Sequence, residues 1–401
     1  MKRNEGRIRT SHGGNLPLPT DLDAWLAMEQ RDESAVRSRL ADAVQEVVDL
    51  QIDSGIDVIN DGEYVKAGAA GAYAGYIQAR VTGWERRTGE DAPPPKRGGT
   101  AERDRKLFPG FYESGLWMSG SGGPVRPGFA TPGRPPAPPA VKVCVEPVRY
   151  VGHEAIAADI TALQHALKGK DDDTEGFIAS LGPLSLGAGA VNEHYSSEEE
   201  YLMAVAEVMR EEYRAITDAG LIVQVDEPEF LTTWTFYPEW KVKDLRRYLE
   251  MAVEVINHSL EGIPLEQVRF HSCWGSGHRP HTTDVELRHV VDLLMGVNAQ
   301  CYAIEGGNVR HAHEWRVWED VDLPEGRMVM SGVVGHSTDL VEHPELVAER
   351  LVNLAGVLGK ENVQAGTDCG IGSRVGHEEV AWAKLRSLGE GAALASTRLW
   401  T

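Results

Sequence analysis

The chain alternates short apolar runs with longer stretches whose apolar positions recur at helical spacing. Residues 7–12, 56–60, 177–182, 221–226, 267–270, 302–304, 327–332 and 362–367 read as strands. Residues 33–54, 153–168, 197–219, 239–260, 344–358 and 376–393 read as helices. Gly55 caps the first helix, and Ser196 stands as the candidate cap of 197–219. Glu198, Glu199 and Glu200 then fall in that helix's first turn, where carboxylates suit the dipole. Eight strands, each usually followed by a helix, predict an α/β fold, a (β/α)8 TIM barrel. We read 1–401 as one such domain.

Residues 85–140 break the pattern. They carry Pro-Pro-Pro, several glycines, Pro-Gly-Arg-Pro-Pro-Ala-Pro-Pro and an aromatic island at 108–112. Such a stretch cannot build long regular elements. It reads as an irregular Pro/Gly-rich insertion after the second strand, shaping a pocket or a contact between subunits, or simply unstructured. Val141–Val145 is expected to pair with 149–151 as a hairpin.

Chemistry gathers at strand ends. His271-Ser272-Cys273 follows the apolar run 267–270. Side chains two apart on a strand share a face, so His271 and Cys273 can reach one metal ion. Alone, this pair reads equally as a core histidine beside a core cysteine. Two later strand ends add Glu305, before Gly306-Gly307, and Cys369, after Thr367-Asp368. His271, Cys273, Glu305 and Cys369 make a four-ligand set of the kind that binds zinc. In a parallel barrel these ends converge on one face. Cobalt or iron would suit the same donors. Cys144 and Cys301 read as packed apolar residues. The pair His311 and His313 does not read as ligands, because positions two apart do not share a helix face. His278, His281 and His289 are likewise left out of the metal set. His12 is open between the site and a loop role.

Six blocks carry a resemblance: VINDGE (58–63), VQVDEP (223–228), HSCWG (271–275), AIEGG (303–307), GVVGHSTD (332–339) and TDCGIGSR (367–374). In order and approximate spacing they resemble the catalytic barrel of cobalamin-independent methionine synthase, in its short single-barrel branch. That family is zinc-dependent and moves alkyl groups to thiols. The resemblance implies that Glu63 and Asp226 bind the amino group of homocysteine, that Ser337 is a substrate-binding residue, and that His336 protonates the leaving group. A Gly-Ser that holds the amino-acid carboxylate in the family is Gly14-Asn15 here, so Asn15 takes that position. Glu305 would be the displaceable metal ligand. Arg374 would add positive charge nearby, or form a surface ion pair.

Composition narrows the partners. The chain has 401 residues, 42% hydrophobic and 25% charged, with 40 Lys+Arg against 61 Asp+Glu and a net charge of −21. That balance argues against nucleic acid or an anionic membrane surface as partner. No apolar run approaches a membrane span, and residues 1–14 lack the apolar segment of a secretory signal. Four cysteines in a chain this long do not make a disulfide scaffold, so a reducing cytoplasm is expected. Partners are then a small-molecule thiol and an alkyl donor; a homo-oligomer is compatible.

The resemblance implies methyl transfer from a 5-methyltetrahydrofolate-type donor to homocysteine, giving methionine. Full-length family members add an N-terminal barrel for the folate, which this chain has no room for. The alternative is alkyl transfer to another thiol, as in epoxyalkane–coenzyme M transferases. A zinc-stabilised binding protein is disfavoured, because structural sites use short ligand spacing.

Overall fold

The apolar runs become parallel strands. The computed structural model describes residues 1–26, 28, 32–66, 72–98, 101–114, 140–277, 279–372 and 374–401. Among these, the strands are β1 (Val58–Ile59), β2 (Val81–Thr88), β3 (Ala140–Tyr150), β4 (Glu175–Leu181), β5 (Val191–Asn192), β6 (Ile222–Asp226), β7 (Val268–Ser272), β8 (Cys301–Ile304), β9 (Met328–Val334) and β10 (Val363–Thr367). Seven of them form one parallel sheet in the order β1-β4-β6-β7-β8-β9-β10. Residues 9–11 join its two edges. The Thr10 carbonyl accepts from the Val58 amide (3.0 Å), while the Ser11 amide donates to the Ala365 carbonyl (2.8 Å). The sheet therefore curls until its edges meet, which leaves no open edge.

Parallel strands covered on both faces read as continuous apolar runs. β6, β7 and β10 are buried at every position. Inside the curl, Cys301 packs with Ala303, Met328 and Met330, as its apolar setting predicted. Phe177 lies there too, with the buried Arg269 guanidinium 4.0 Å from its ring centroid. Outside, amphipathic helices cover the sheet, including Glu33–Asp53, His153–Leu167, Glu198–Asp218, Val242–Ser259, Pro344–Leu358 and Glu378–Leu399. All six were expected, within a few residues at most ends.

Two expectations need correction. The helix cap is Ser197, whose Oγ accepts from the Glu200 amide; Ser196 instead donates to the Glu200 carboxylate. The hairpin within 141–151 does not form. β3 is one continuous strand, paired antiparallel with β2 from Val81↔Tyr150 to Thr88↔Ala140. With β5 they make a separate three-stranded sheet between β1 and β6 in the chain. The irregular segment is thus carried at the end of a long hairpin, and residues 85–88 belong to its strand. Its Pro-rich part at 132–139 lies outside the described residues, as does His278.

The near end of that segment is pinned over the sheet. Helix Glu102–Leu107 buries Asp104, which accepts from Thr282 Oγ1 (3.0 Å) and Thr283 Oγ1 (2.9 Å). Arg103 donates to the carbonyls of Trp234, Tyr237 and Trp240. Both sets of partners lie in the segments that follow β6 and β7, Trp234 within the helix Glu229–Phe236.

Candidate metal centre

Strand β7 presents His271 inward at its last turn, and Cys273 follows one residue beyond. The His271 Nδ1–H donates to the Ala303 carbonyl on the neighbouring β8 (3.2 Å). That bond occupies Nδ1 and leaves Nε2 as the nitrogen that would meet a metal ion on losing its proton. Nε2 is buried and has no hydrogen-bond partner among the described residues. Cys369 arrives from the end of β10, where loop 12–15 presses against it. A Cβ on Gly13 would fall 2.6 Å from Cys369 Cα, so only glycine fits there. A ring nitrogen of His271 and the sulfurs of Cys273 and Cys369 all lie within 4.8 Å of one another.

These groups share charge. The neighbouring Cys273 thiol, helped by His271, draws the Cys369 thiol well below its ordinary range. The Cys273 thiol is pushed well above it by Cys369 and by burial. Burial disfavours a charged His271, yet Cys369 and Asp226 outweigh it and hold the imidazole at about 9. Of the two thiols, Cys369 is the one favoured as thiolate.

A second trio adjoins it. Carboxylate oxygens of Glu305 and Asp368 and a ring nitrogen of His336 lie within 4.8 Å of one another, all buried. Glu305 Oε1 accepts from the Trp274 amide, next in the chain to Cys273 (3.0 Å). Asp368 Oδ1 accepts from the amides of Gly306 (2.8 Å) and Gly307 (2.7 Å). Its Oδ2 faces His336 Nδ1 at 3.9 Å. Burial works against the His336 cation, but Asp368, Cys369 and Glu305 together raise its pKa above the ordinary value. Glu305 is raised by burial. Glu305 is thus beside the sulfur trio but grouped with His336 and Asp368. Asp368 was not singled out in the sequence, although it stands inside a quoted block.

The carboxylates expected to hold an ammonium converge on a third corner. Glu63, Asp226 and Asp61 are all buried. Glu63 sits at φ 60°, a left-handed backbone that is unusual outside glycine and clusters at functional sites. Asp226 Oδ1 accepts from Gln224 Nε2 (2.7 Å). Lys66 is an addition the sequence did not reveal. Its ammonium lies 3.3 Å from Glu63 Oε2, donates to the Ala179 carbonyl (2.6 Å) and sits 4.6 Å from the Tyr76 ring centroid. Burial, offset by Lys66, raises the Glu63 carboxyl to about 7.

The remaining positions separate. Asn15 packs onto Gly370, beside Cys369. Ser337 is half-buried next to His336, with no bond to either trio among the described residues. Arg374 is close enough for Cys369 and Cys273 to act on its charge, against burial. His12 is a core residue, bonded to Gln51 Oε1 (2.8 Å); burial lowers it to about 4, so it is neutral. His311 stands just before the short 3-10 helix Glu314–Asp320. It stacks on the Trp274 ring (centroids 3.7 Å apart) and is held between Asp284 and Glu314.

The donors fit a metal ion. Zinc bonds of about 2.0–2.3 Å set tetrahedral ligand atoms roughly 3.3–3.8 Å apart, inside the observed spread. One imidazole nitrogen lacks a hydrogen-bond partner among the described residues, its other nitrogen is fixed by a carbonyl, and two sulfurs stand beside it. That is the donor set and outer bonding that zinc favours.

Comparison with known proteins follows the same lines. The family model described as "Cobalamin-independent synthase, Catalytic domain" matches residues 144–393. A methionine synthase of Sulfurisphaera tokodaii is 25% identical over 217 residues, covering 53% of this chain and 55% of that protein. The match thus spans about half the length of that relative. The 2-hydroxypropyl-CoM lyase of Xanthobacter autotrophicus is 23% identical over 426 aligned residues, 98% of this chain and 96% of that one. The structure of a B12-independent methionine synthase from Shewanella sp. W3-18-1, in complex with selenomethionine, superposes with a TM-score of 0.68 at 21% identity. It covers 98% of this chain and 99% of that chain, and shows a shared fold.

Proposed function

The chain belongs to the cobalamin-independent synthase catalytic-domain family, and on that premise we propose that it is a zinc-dependent S-methyltransferase acting on homocysteine. The observation that carries this reading is the sulfur trio: two thiols and an imidazole nitrogen brought together at strand ends, His271 and Cys273 buried and Cys369 half-buried. His271, Cys273 and Cys369 would hold the ion, with Glu305 as the displaceable fourth ligand. Bound there, zinc supplies the positive charge that keeps an incoming thiol deprotonated at neutral pH.

The chain's own residues do the rest. Asp226 and Glu63 hold the acceptor's ammonium by charge-assisted bonds, and the loop at Asn15 and Ser337 lines the same face. The acceptor sulfur forms a bond to the methyl carbon as the donor's carbon–nitrogen bond breaks. The leaving nitrogen takes that electron pair and needs a proton. His336 donates it, because its raised pKa keeps the imidazolium populated near neutrality. Asp368, locked by two backbone amides, faces His336 at 3.9 Å and favours its charged form. The single domain 1–401 would work as one catalytic unit, with its insertion pinned above the site. The donor is a 5-methyltetrahydrofolate-type molecule.

A second reading keeps the chemistry and changes the acceptor. Two observations favour it. Lys66 already pairs with Glu63, leaving Asp226 as the carboxylate open to a substrate ammonium. The end-to-end relative is named a 2-hydroxypropyl-CoM lyase. The alternative is thus alkyl transfer to a thiol such as coenzyme M.

A transfer assay separates the two. The zinc-loaded enzyme is given homocysteine or 2-mercaptoethanesulfonate, each with methyl-folate or an epoxyalkane, and thioether products are read by mass spectrometry. We expect methionine from homocysteine, lost in Cys273→Ser and Cys369→Ser. Thioether from the sulfonate thiol alone moves the assignment to the second reading; no thioether from any pair overturns both.

A further inference from the structure

A pocket away from both trios carries an unmatched cation. It is a cavity of about 300 Å³ between the rim of the sheet and the β2–β3 hairpin, lined by Lys96, Arg97, Lys142, Leu181, Ser185 and Leu186 among others. That volume reaches the lower end of ligand pockets, about 300–1,000 Å³. Two of its cations are satisfied within the chain: Lys96 pairs with Glu198 and Arg97 with Glu229. Lys142 is not. Its ammonium donates to the Leu186 carbonyl (3.0 Å) and lies 3.5 Å from the Trp84 ring centroid. Among the described residues no carboxylate pairs with it.

This is unusual for a chain with a net charge of −21. Lys142 is half-buried, and a charge withdrawn from water is ordinarily paired, because an unpaired one bears the cost of that withdrawal. Residues 115–139, which adjoin the hairpin in the chain, contain no Asp or Glu and so cannot supply the missing charge. The platform is pre-formed. The Trp84 Nε1–H donates to the Tyr201 hydroxyl (2.9 Å), which donates to the Gly187 carbonyl (3.1 Å). Arg97 lies against Gly189, where a Cβ would come 3.0 Å from its guanidinium.

We propose that this pocket binds an organic anion, a carboxylate or sulfonate whose charge completes Lys142. Its place on the rim suits a ligand that reaches the metal centre. Leu181 is in register with Asp226, and Asp226 with His271. Two strand spacings put Leu181 roughly 10 Å from His271. The anion is therefore either one end of the alkyl donor, an arm that rests on the function proposed above, or a separate small acid.

Burial and the nearby Arg86 hold the Lys142 ammonium down to about 7, so its amine reacts readily with acylating or methylating reagents near neutrality. The experiment is competitive reductive methylation of the intact protein, read at Lys142 by mass spectrometry, with glutarate, methanesulfonate or inorganic phosphate as probes. Glutarate or methanesulfonate should slow modification of Lys142 saturably, at least tenfold. Calorimetric glutarate binding should vanish in Lys142→Met and return in Lys142→Arg, both melting cooperatively. Unchanged modification with every probe overturns the proposal. A higher KM for the alkyl donor in Lys142→Met, at near-constant kcat, assigns the anion to the donor. Glutarate protection without that change assigns it to a separate acid. The labelling result stands whether or not methyl transfer is found.

Discussion

His336 and Asp368 show how much one residue depends on the next. The Asp368 carboxylate is fixed by two amides on one oxygen and faces His336 with the other. It stabilises the imidazolium, so the proton donor stays charged to higher pH and is lost as pH rises through the raised pKa. Replacing Asp368 by Asn removes that support. We expect the basic limb of the kcat–pH profile to move to lower pH and activity to fall about ten- to hundredfold. An unmoved limb would mean another group gives the proton. The proposed metal ligands were readable in the sequence because Cys, His and Glu at strand ends are rare enough to stand out. Asp368 was not, because strand alternation puts it on the opposite face from Cys369. β10 ends at Thr367 and the chain bends over 368–369, so strict alternation no longer governs the two side chains. Lys66 was missed for a different reason: nothing local shows that a lysine three residues after Glu63 will be buried against it.

Glycines and pinned loops set the geometry of the elements that carry these groups. A Cβ on Gly332 of β9 would fall 1.9 Å from Asp368 Oδ1. Gly332→Ala should therefore displace Asp368, costing about 1–3 kcal/mol of stability on thermal or denaturant melting. Gly110→Ala, with open space around it, should not. The insertion is held by buried Asp104, which also faces Arg279 at 3.6 Å. Asp104→Ala removes the acceptor of Thr282 and Thr283, while Arg279 keeps Asp284 as its nearer partner, and should cost about 1–3 kcal/mol, with faster proteolysis of 101–114. A third expectation concerns His311. Burial opposes its charge, but Asp284 and Glu314 hold it at about 9, above its ordinary 6.5. That stabilisation is complete below about pH 6.5 and is lost as pH rises through 9. It amounts to at most about 3 kcal/mol. His311→Gln should flatten the decline in stability over that interval. Barrel strands and helices followed from local periodicity, whereas the hairpin was misread. β2 and β3 pair across some fifty residues, and no local pattern records a partner so far away.

At the level of the whole chain, charge and fold point the same way. A net charge of −21 argues against polyanionic partners, and no helix of the described residues is long and apolar enough to cross a membrane. Strand ends from β7, β8, β9 and β10 bring their side chains to one face, over which the start of the insertion is pinned. A curled parallel sheet makes that convergence geometric, so six separated sequence blocks become one site. The account stands on that site activating a thiol at a metal. The most direct test is zinc-edge X-ray absorption of the zinc-loaded protein with and without L-homocysteine. We predict one added sulfur neighbour and the loss of one oxygen or nitrogen neighbour when the thiol is present. A zinc shell unchanged by homocysteine and by every other thiol, or a protein that does not retain zinc through His271, Cys273 and Cys369, would contradict it.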